Sequence, residues 1–356
     1  MGGESTVRWR AIAGLWLLVA SAAWAAPDLQ IQRVVPEGQE VPGRSRQIVI
    51  TFDRAVMPLG VMAVEHAPVT TIPALACQWH WLDPRSLACE LNEKDALAPA
   101  TEYALTVQPG IRAQDGSALV RAYHWAFSTE RPAVRQYSFH TWRSPGTPVV
   151  RVVFNQPVTK ESIEAHLHFG TQASVRASPD PYGALPPHAW LVEPTTSLPL
   201  DTTVRLAVTP GLQSDLGNLP GTERRTIVEF DTFPAFSFLG VRCLVDSKSV
   251  LIDKAQLPAR QPACDPFGTV SLAFSAPVIA PEIKAHLQLT PDLTAGRTDF
   301  DPWANVWPST GLRAPHRRGT EYSVPLPERL RAFQNYSIAS LKGTRDEFGR
   351  NLSGSA

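Results

Sequence analysis

The sequence predicts an all-β fold, a row of β-sandwiches. Three observations carry this: dense chain punctuation, short apolar segments that alternate at period two, and one strand pattern that recurs three times. Proline is near 9% of the 356 residues, and glycine with proline about 15%, too much turn-forming chain for long helices. With 44% hydrophobic residues the chain has apolar side chains for several cores, which argues against disorder. Lys plus Arg equals Asp plus Glu at 33 each, and no block of like charge occurs, so no nucleic-acid partner is expected.

At the N-terminus, Arg8 and Arg10 precede an apolar run from Ala11 to Ala23, and Ala23-Trp24-Ala25 sets small residues where a signal peptidase reads. The run is shorter than the ~20 residues that cross a bilayer. Residues 1–25 are therefore expected to be a cleaved signal peptide, and the mature chain to be exported, periplasmic or envelope-associated, with no membrane span.

Ile48–Val56, Val150–Val158 and Val270–Val278 each alternate toward Phe52, Phe154 and Phe274, then leave through a polar residue, Ala or Pro, and Val. Such a segment is a half-buried strand ending at a turn. The two later copies continue with Ser162–Leu167 and Glu282–Leu287, where one or two turns of helix are expected, as over Lys160–His166. Further on, six residues separate Leu97 from Tyr103, Leu198 from Val204 and Leu330 from Tyr336, and each pair opens another alternating strand. Asp115-Gly116, Asp215 with Gly217, and Asp346 with Gly349 then mark tight turns. Trp125–Thr129 and Val228–Thr232 close the first two copies before Pro132 and Pro234. The third copy reaches Ala356 where that strand is due, and the expected result is a bare sheet edge that pairs readily with another chain.

The three Phe landmarks stand 102 and 120 residues apart, the size of an immunoglobulin-like sandwich of about seven short strands. The expected domains are 27–131, 133–233 and 235–356, the last lacking its final strand. Short Pro-containing linkers at Arg131–Ala133 and Phe233–Ala235 should join them through small interfaces.

Cys77, Cys89, Cys243 and Cys264 permit three connectivities. In an exported chain the local pairing 77–89 and 243–264 is expected, since each couple falls inside one domain, and each bond stabilises by about 3 kcal/mol. A hairpin loop at Asp83–Ser86 would set Cys89 opposite His80, so the first bond requires a bulge. No C-x-x-C or paired His at finger spacing supports zinc.

The motif order, a strand into F-[DSN]-x-[AP]-V, a Trp-containing hairpin, L-x-P-x-T-x-Y-x-L-x-V, D-x-x-G and F-x-T, resembles the bacterial Ig-like domain found in tandem in large exported proteins. Three such domains behind a signal peptide resemble the N-terminal region of bacterial alpha-2-macroglobulin-like proteins, over residues 28 to 352. The resemblance implies a non-catalytic scaffold or interaction region with protein partners, proteases among them, met through the rest of a longer chain. The family traps proteases with a bait region and often a C-x-E-Q thioester. Here the cysteines precede Gln78-Trp79-His80, Glu90-Leu91-Asn92, Leu244-Val245-Asp246 and Asp265-Pro266-Phe267, so the expected form is a fragment lacking bait and thioester. A spacer of an adhesin or surface-layer protein is the competing expectation.

No catalytic, cofactor or metal residue is expected. The chain has neither G-x-S-x-G nor H-E-x-x-H, and His166-Leu167-His168, which would set two imidazoles on one strand face, becomes His286-Leu287-Gln288 in the third copy. Trp81, Trp190 and Trp307 follow the landmark Phe of their copies by 29, 36 and 33 residues and read as core positions, whereas Trp79 lies beside one of them. Trp303 has no counterpart, which makes it the candidate ligand contact.

Overall fold

A computed structural model describes Gly2 and residues 28–353, apart from 59, 61–63, 65–66, 171–172, 182–187, 254–262, 295, 300 and 306–310. The expected signal peptide, Gly2 aside, and Trp307 lie outside the described residues.

The fold is all-β and immunoglobulin-like in pattern. The first stretch supplies β1 (Ile31–Val35), β2 (Gly38–Val41), β3 (Gln47–Phe52), β4 (Val69–Ile72), β5 (Gln78–Asp83), β6 (Ser86–Glu90), β7 (Glu102–Val107) and β8 (Tyr123–Thr129). The next holds β9 (Val134–Ser144), β10 (Thr147–Phe154), helix α1 (Lys160–His166), β11 (Leu167–Phe169), β12 (Val175–Pro179), β13 (Ala189–Pro194), β14 (Thr203–Val208) and β15 (Arg225–Asp231). The last holds β16 (Phe238–Val245), β17 (Lys248–Asp253), β18 (Ser271–Phe274), helix α2 (Ala280–His286), β19 (Gln288–Thr290), β20 (Tyr322–Pro325) and β21 (Ser337–Ser340). Sheet orders are β1-β3-β6-β5 and β2-β8-β7-β4, then β12-β13-β10-β9 and β11-β14-β15, then β17-β16-β18-β20 and β19-β21.

The recurring motif has one structural meaning. Phe52, Phe154 and Phe274 end β3, β10 and β18 and are 0%, 1% and 0% exposed. The polar residue after each clamps the entering chain: Asp53 accepts from Gln30 N, Asn155 accepts from Ala133 N and donates to Arg131 O, and Ser275 accepts from Ser237 N and donates to Ala235 O. Both helices fall where the sequence expects them. Thr159 caps α1 by accepting from Ser162 N, and Pro281 stands in the first turn of α2, where its missing N–H costs nothing.

Two compact units divide the chain. The first is the chain through Glu37 with Arg46–Asp95 and Ala104–Ala126, and the second is Gly38–Ser45, Ala96–Tyr103 and the chain from Phe127 onward. The first unit packs Ile50, Phe52, Trp81, Leu87, Val107 and Leu119 into one core. The second has one continuous core from Val134 to Leu341. The sequence expects a small interface between residues 133–233 and 235–356, but inside this unit that join is packed. Phe233 meets Trp142 at 4.9 Å, Phe348 at 5.0 Å and the His316 ring at 4.3 Å, and Trp142 Nε1 donates to Ala314 O. The reason is that Phe233 sits in the linker itself, 0% exposed, so burying the linker requires both neighbours to close over it.

Both disulfides form with the expected pairing, Cys77–Cys89 and Cys243–Cys264, at Cα separations of 5.0 and 5.7 Å. The bulge that the first bond demands falls between Trp81 and Asp83, and it sets Trp79 rather than His80 opposite Cys89. Disulfides persist in an oxidising, extracytoplasmic compartment. Among the described residues no helix is long and apolar enough to cross a membrane.

Candidate functional site

Trp303 lines an open groove of about 640 Å³ in the second unit, within the size range of ligand sites. Its walls come from three local pieces. Lys284 and Leu287 lie at the end of α2, Gln288 and Leu289 on β19, and Asp292, Leu293 and Thr294 on the turn after it. The short 3₁₀ segment Pro302–Asn305 supplies Pro302 and Trp303.

The groove has an apolar floor and a charged rim. Leu287, Leu289, Leu293 and Trp303 are partly buried against the core, which fixes the indole in place. Lys284 Nζ donates to Asp301 Oδ2 at 2.6 Å, and Asp301 Oδ1 accepts from Trp303 N at 3.0 Å. The lysine hydrogen bond, then the Trp303 amide, hold the Asp301 carboxyl below its usual range. Both charged groups are thus occupied by each other, and the groove offers stacking area rather than an acid–base pair. Asp301 and Lys284 were not singled out in the sequence, because nothing there shows that residues 17 apart meet.

Elsewhere the predicted positions separate. Trp81 is buried and packs on Phe52 at 6.0 Å, as a core residue should, and Trp79 is half-buried beside it. Trp190 is half-buried at the margin of the second core. His166 and His168 do not share a strand face, since His166 ends α1 while His168 lies on β11. The physical role of His166 is packing: its ring lies over Gly211, where a Cβ would collide with it, and His286 lies over Gly343 in the same way. Both glycines have positive φ, 119° and 91°. Among the described residues, no three His, Cys, Asp or Glu side chains gather as a metal-binding group.

The most perturbed side chain is His316. It is 2% exposed, and burial holds its pKa at about 4 against the opposing pull of Asp231 and Asp201. Its Nδ1 lies 2.9 Å from the Tyr322 hydroxyl, whose own pKa burial raises. These groups belong to the aromatic join.

This is a disulfide-stapled all-β protein of immunoglobulin-like sandwich pattern with a groove on one copy. Residues 25–129 match the family model described as a bacterial Ig-like domain. No curated protein sequence matches the chain. Among solved structures, the chain is similar to an L,D-transpeptidase from Mycobacterium tuberculosis, at 17% identity and a TM-score of 0.20, over 51% of this chain and 65% of that one. It is similar to a structure of native alpha-2-macroglobulin from Escherichia coli spanning domains MG0-NIE-MG1, at 14% identity and a TM-score of 0.21, over 70% of this chain and 94% of that one. An S-layer protein matches at 11% identity and a TM-score of 0.20, over 85% of this chain and 41% of that one.

Proposed function

We propose that the chain is a non-catalytic scaffold and interaction region of an exported, periplasmic or envelope-associated bacterial protein of alpha-2-macroglobulin-like kind, with 27–131, 133–233 and 235–356 as successive sandwiches. The carrying observation is the network of hydrogen bonds, ion pair and ring contacts at the joins inside the second unit. Arg131 donates to Pro220 O and pairs with Glu40, Gln156 donates to Glu130 O, and Leu219 N donates to Ala100 O. Gly217 lies so close to Pro99 O and Ala100 O that no Cβ fits. At the other end the Phe233–His316 stack closes the second join. Backbone and linker atoms held this way transmit position, which is what a scaffold does; a hinge needs the opposite.

The motif order supports the alpha-2-macroglobulin-like reading. Each cysteine sulfur is bonded to another, so none is available for a thioester, and covalent capture of a protease is not a task of these residues. The Trp303 groove is the contact we assign to a partner protein's apolar side chain. The test is an equimolar mixture of the purified protein with several unrelated endoproteases and a large protein substrate. Undiminished cleavage is expected. Protection of the large substrate would overturn the scaffold reading and place a trap within these residues.

A further inference from the structure

Arg313 to Thr320 of the third copy form a loop that lies on the join at Phe233. Seven of these eight residues are exposed, and the exception, His316, is 2% exposed. A surface loop is thus pinned by a single buried plug. The His316 ring stacks on Phe233 with 4.3 Å between ring centres and 20° between planes, and its Nδ1 lies 2.9 Å from the Tyr322 hydroxyl. Hydrogen bonds to the second copy complete the grip. Trp142 Nε1 donates to Ala314 O and Asp231 N to His316 O, both at 3.0 Å, while Arg318 N donates to Asp231 Oδ2 and Arg318 Nη2 to Asp201 O, both at 2.7 Å.

The plug is ionisable, and the groups around it are mostly committed to one another. β15 brings Asp231 and the turn before β14 brings Asp201, and Arg318 on the loop itself bonds to the first and pairs with the second. β20 brings Tyr322, whose hydroxyl burial keeps protonated, and next to it Glu321, which pairs with Arg242. Arg143, beside Trp142 on β9, pairs with Glu193. On the far side of Phe233 stands Phe348, where Asp346 pairs with Arg350 and Glu347 is held above its usual range by burial and then by Asp346. Of these charges, Asp231 and Asp201 pull His316 toward its protonated form, and burial overrides them, so the ring stays neutral down to about 4 instead of 6.5.

We propose that the loop Arg313 to Thr320 is an acid-released latch: neutral His316 plugs the join, and protonated His316 leaves with its loop, uncovering the Phe233 and Trp142 rings while both sandwiches stay folded. The direction follows from where the proton binds. The open loop takes a proton below 6.5 and the closed ring only near 4, so the open population rises about tenfold per pH unit between those values, about 300-fold in all. Stronger acid acts in the same direction on Asp231. Burial favours its neutral form, but Thr203 and then Arg318 hold the carboxyl below its usual range, so its grip on Arg318 N is lost as pH falls through that lowered value. The strands on either side carry no such plug. Val150 and Val152 on β10, and Leu272 and Phe274 on β18, are buried and apolar, so the acid acts on the loop and leaves the sheets paired. The latch rests on the join itself and holds whether or not the chain serves as a scaffold.

The test is amide hydrogen exchange of the whole protein between about pH 7 and 4, corrected for the intrinsic pH dependence of exchange. The amides of Asp231 and Arg318, which close the latch, should lose protection about tenfold per pH unit below 6.5, while those of Val152 and Leu272 keep theirs. His316→Phe keeps a ring on Phe233 and cannot take a proton, so protection at both latch amides should stay level across the window. Where that variant does not fold, His316→Gln, equally unable to take the charge, is read in the same way. Level protection at Asp231 and Arg318 in the natural protein overturns the proposal, and so does an equal fall in the uncharged variant. Loss at Val152 and Leu272 in step with the latch amides also overturns it, because acid would then be unfolding the sandwiches and not freeing the loop.

Discussion

The strands β14 and β21 are the same element in two settings. Each follows a left-handed turn, each pairs antiparallel with a short strand after a seven-residue helix, and each sits beside a histidine packed on a glycine. Among the described residues only β14 has a neighbour on its outer edge, and its inward side chains are buried where those of β21 are half-buried. The difference separates two sources of order. The turn and the inner strand form from local sequence and their inner partner, whereas complete burial needs the closing strand, which also supplies the buried threonine clamp.

The largest test removes the closing strand's anchor. Phe230, 0% exposed, meets Phe139, Trp142 and Phe169, so Phe230→Ala should cost about 3–5 kcal/mol. Urea unfolding reads it, and hydrogen exchange should show residues 203–208 approaching the lower protection of 336–340.

Next comes pH, which acts on the join between the copies. His316 is neutral when folded because burial lowers its pKa from 6.5 to about 4, and unfolding lets it bind a proton. Its contribution is therefore complete above pH 6.5 and is lost as pH falls toward about 4, up to about 3 kcal/mol. Asp231 and Asp201 oppose that loss by favouring the charged ring. Urea midpoints measured across this window should fall for the natural protein and fall less for His316→Phe, which keeps a ring on Phe233.

A smaller effect sharpens the comparison directly. Thr232→Val leaves Pro199 O and Thr202 N without their buried partner and should cost about 1–3 kcal/mol. At the matching turn of the third copy Gln334 is exposed, and Gln334→Ala should change stability by less than about 0.5 kcal/mol. Equal costs at the two sites would show that the third turn is already closed by another group.

Much of the frame was legible in the residues. The F-[DSN] step predicts a buried Phe and a polar exit, and the structure shows why that exit is polar: Asp53, Asn155 and Ser275 each hold the incoming backbone. Locality likewise pointed to the correct cysteine pairs. The groove was legible only as Trp303, since its Lys284–Asp301 rim joins residues with no shared pattern. The sequence set His166 and His168 on one strand face only as a reading the third copy argued against; α1 runs through His166, as expected over Lys160–His166, and His168 lies on β11, so the two belong to different elements.

What the sequence by itself determined is therefore periodic and local: the all-β class, the recurring strands, the two short helices, the disulfide partners and the turn chemistry. These depend on neighbours within a few residues or on a pattern repeated along the chain. Tertiary structure alone decided the rest. The bulge after Trp81 satisfies a crosslink, and the join at Phe233 draws on Trp142, His316 and Phe348 from distant segments. Among the described residues β21 pairs on one side and Phe333 is exposed, and no periodicity within four residues of β21 encodes either.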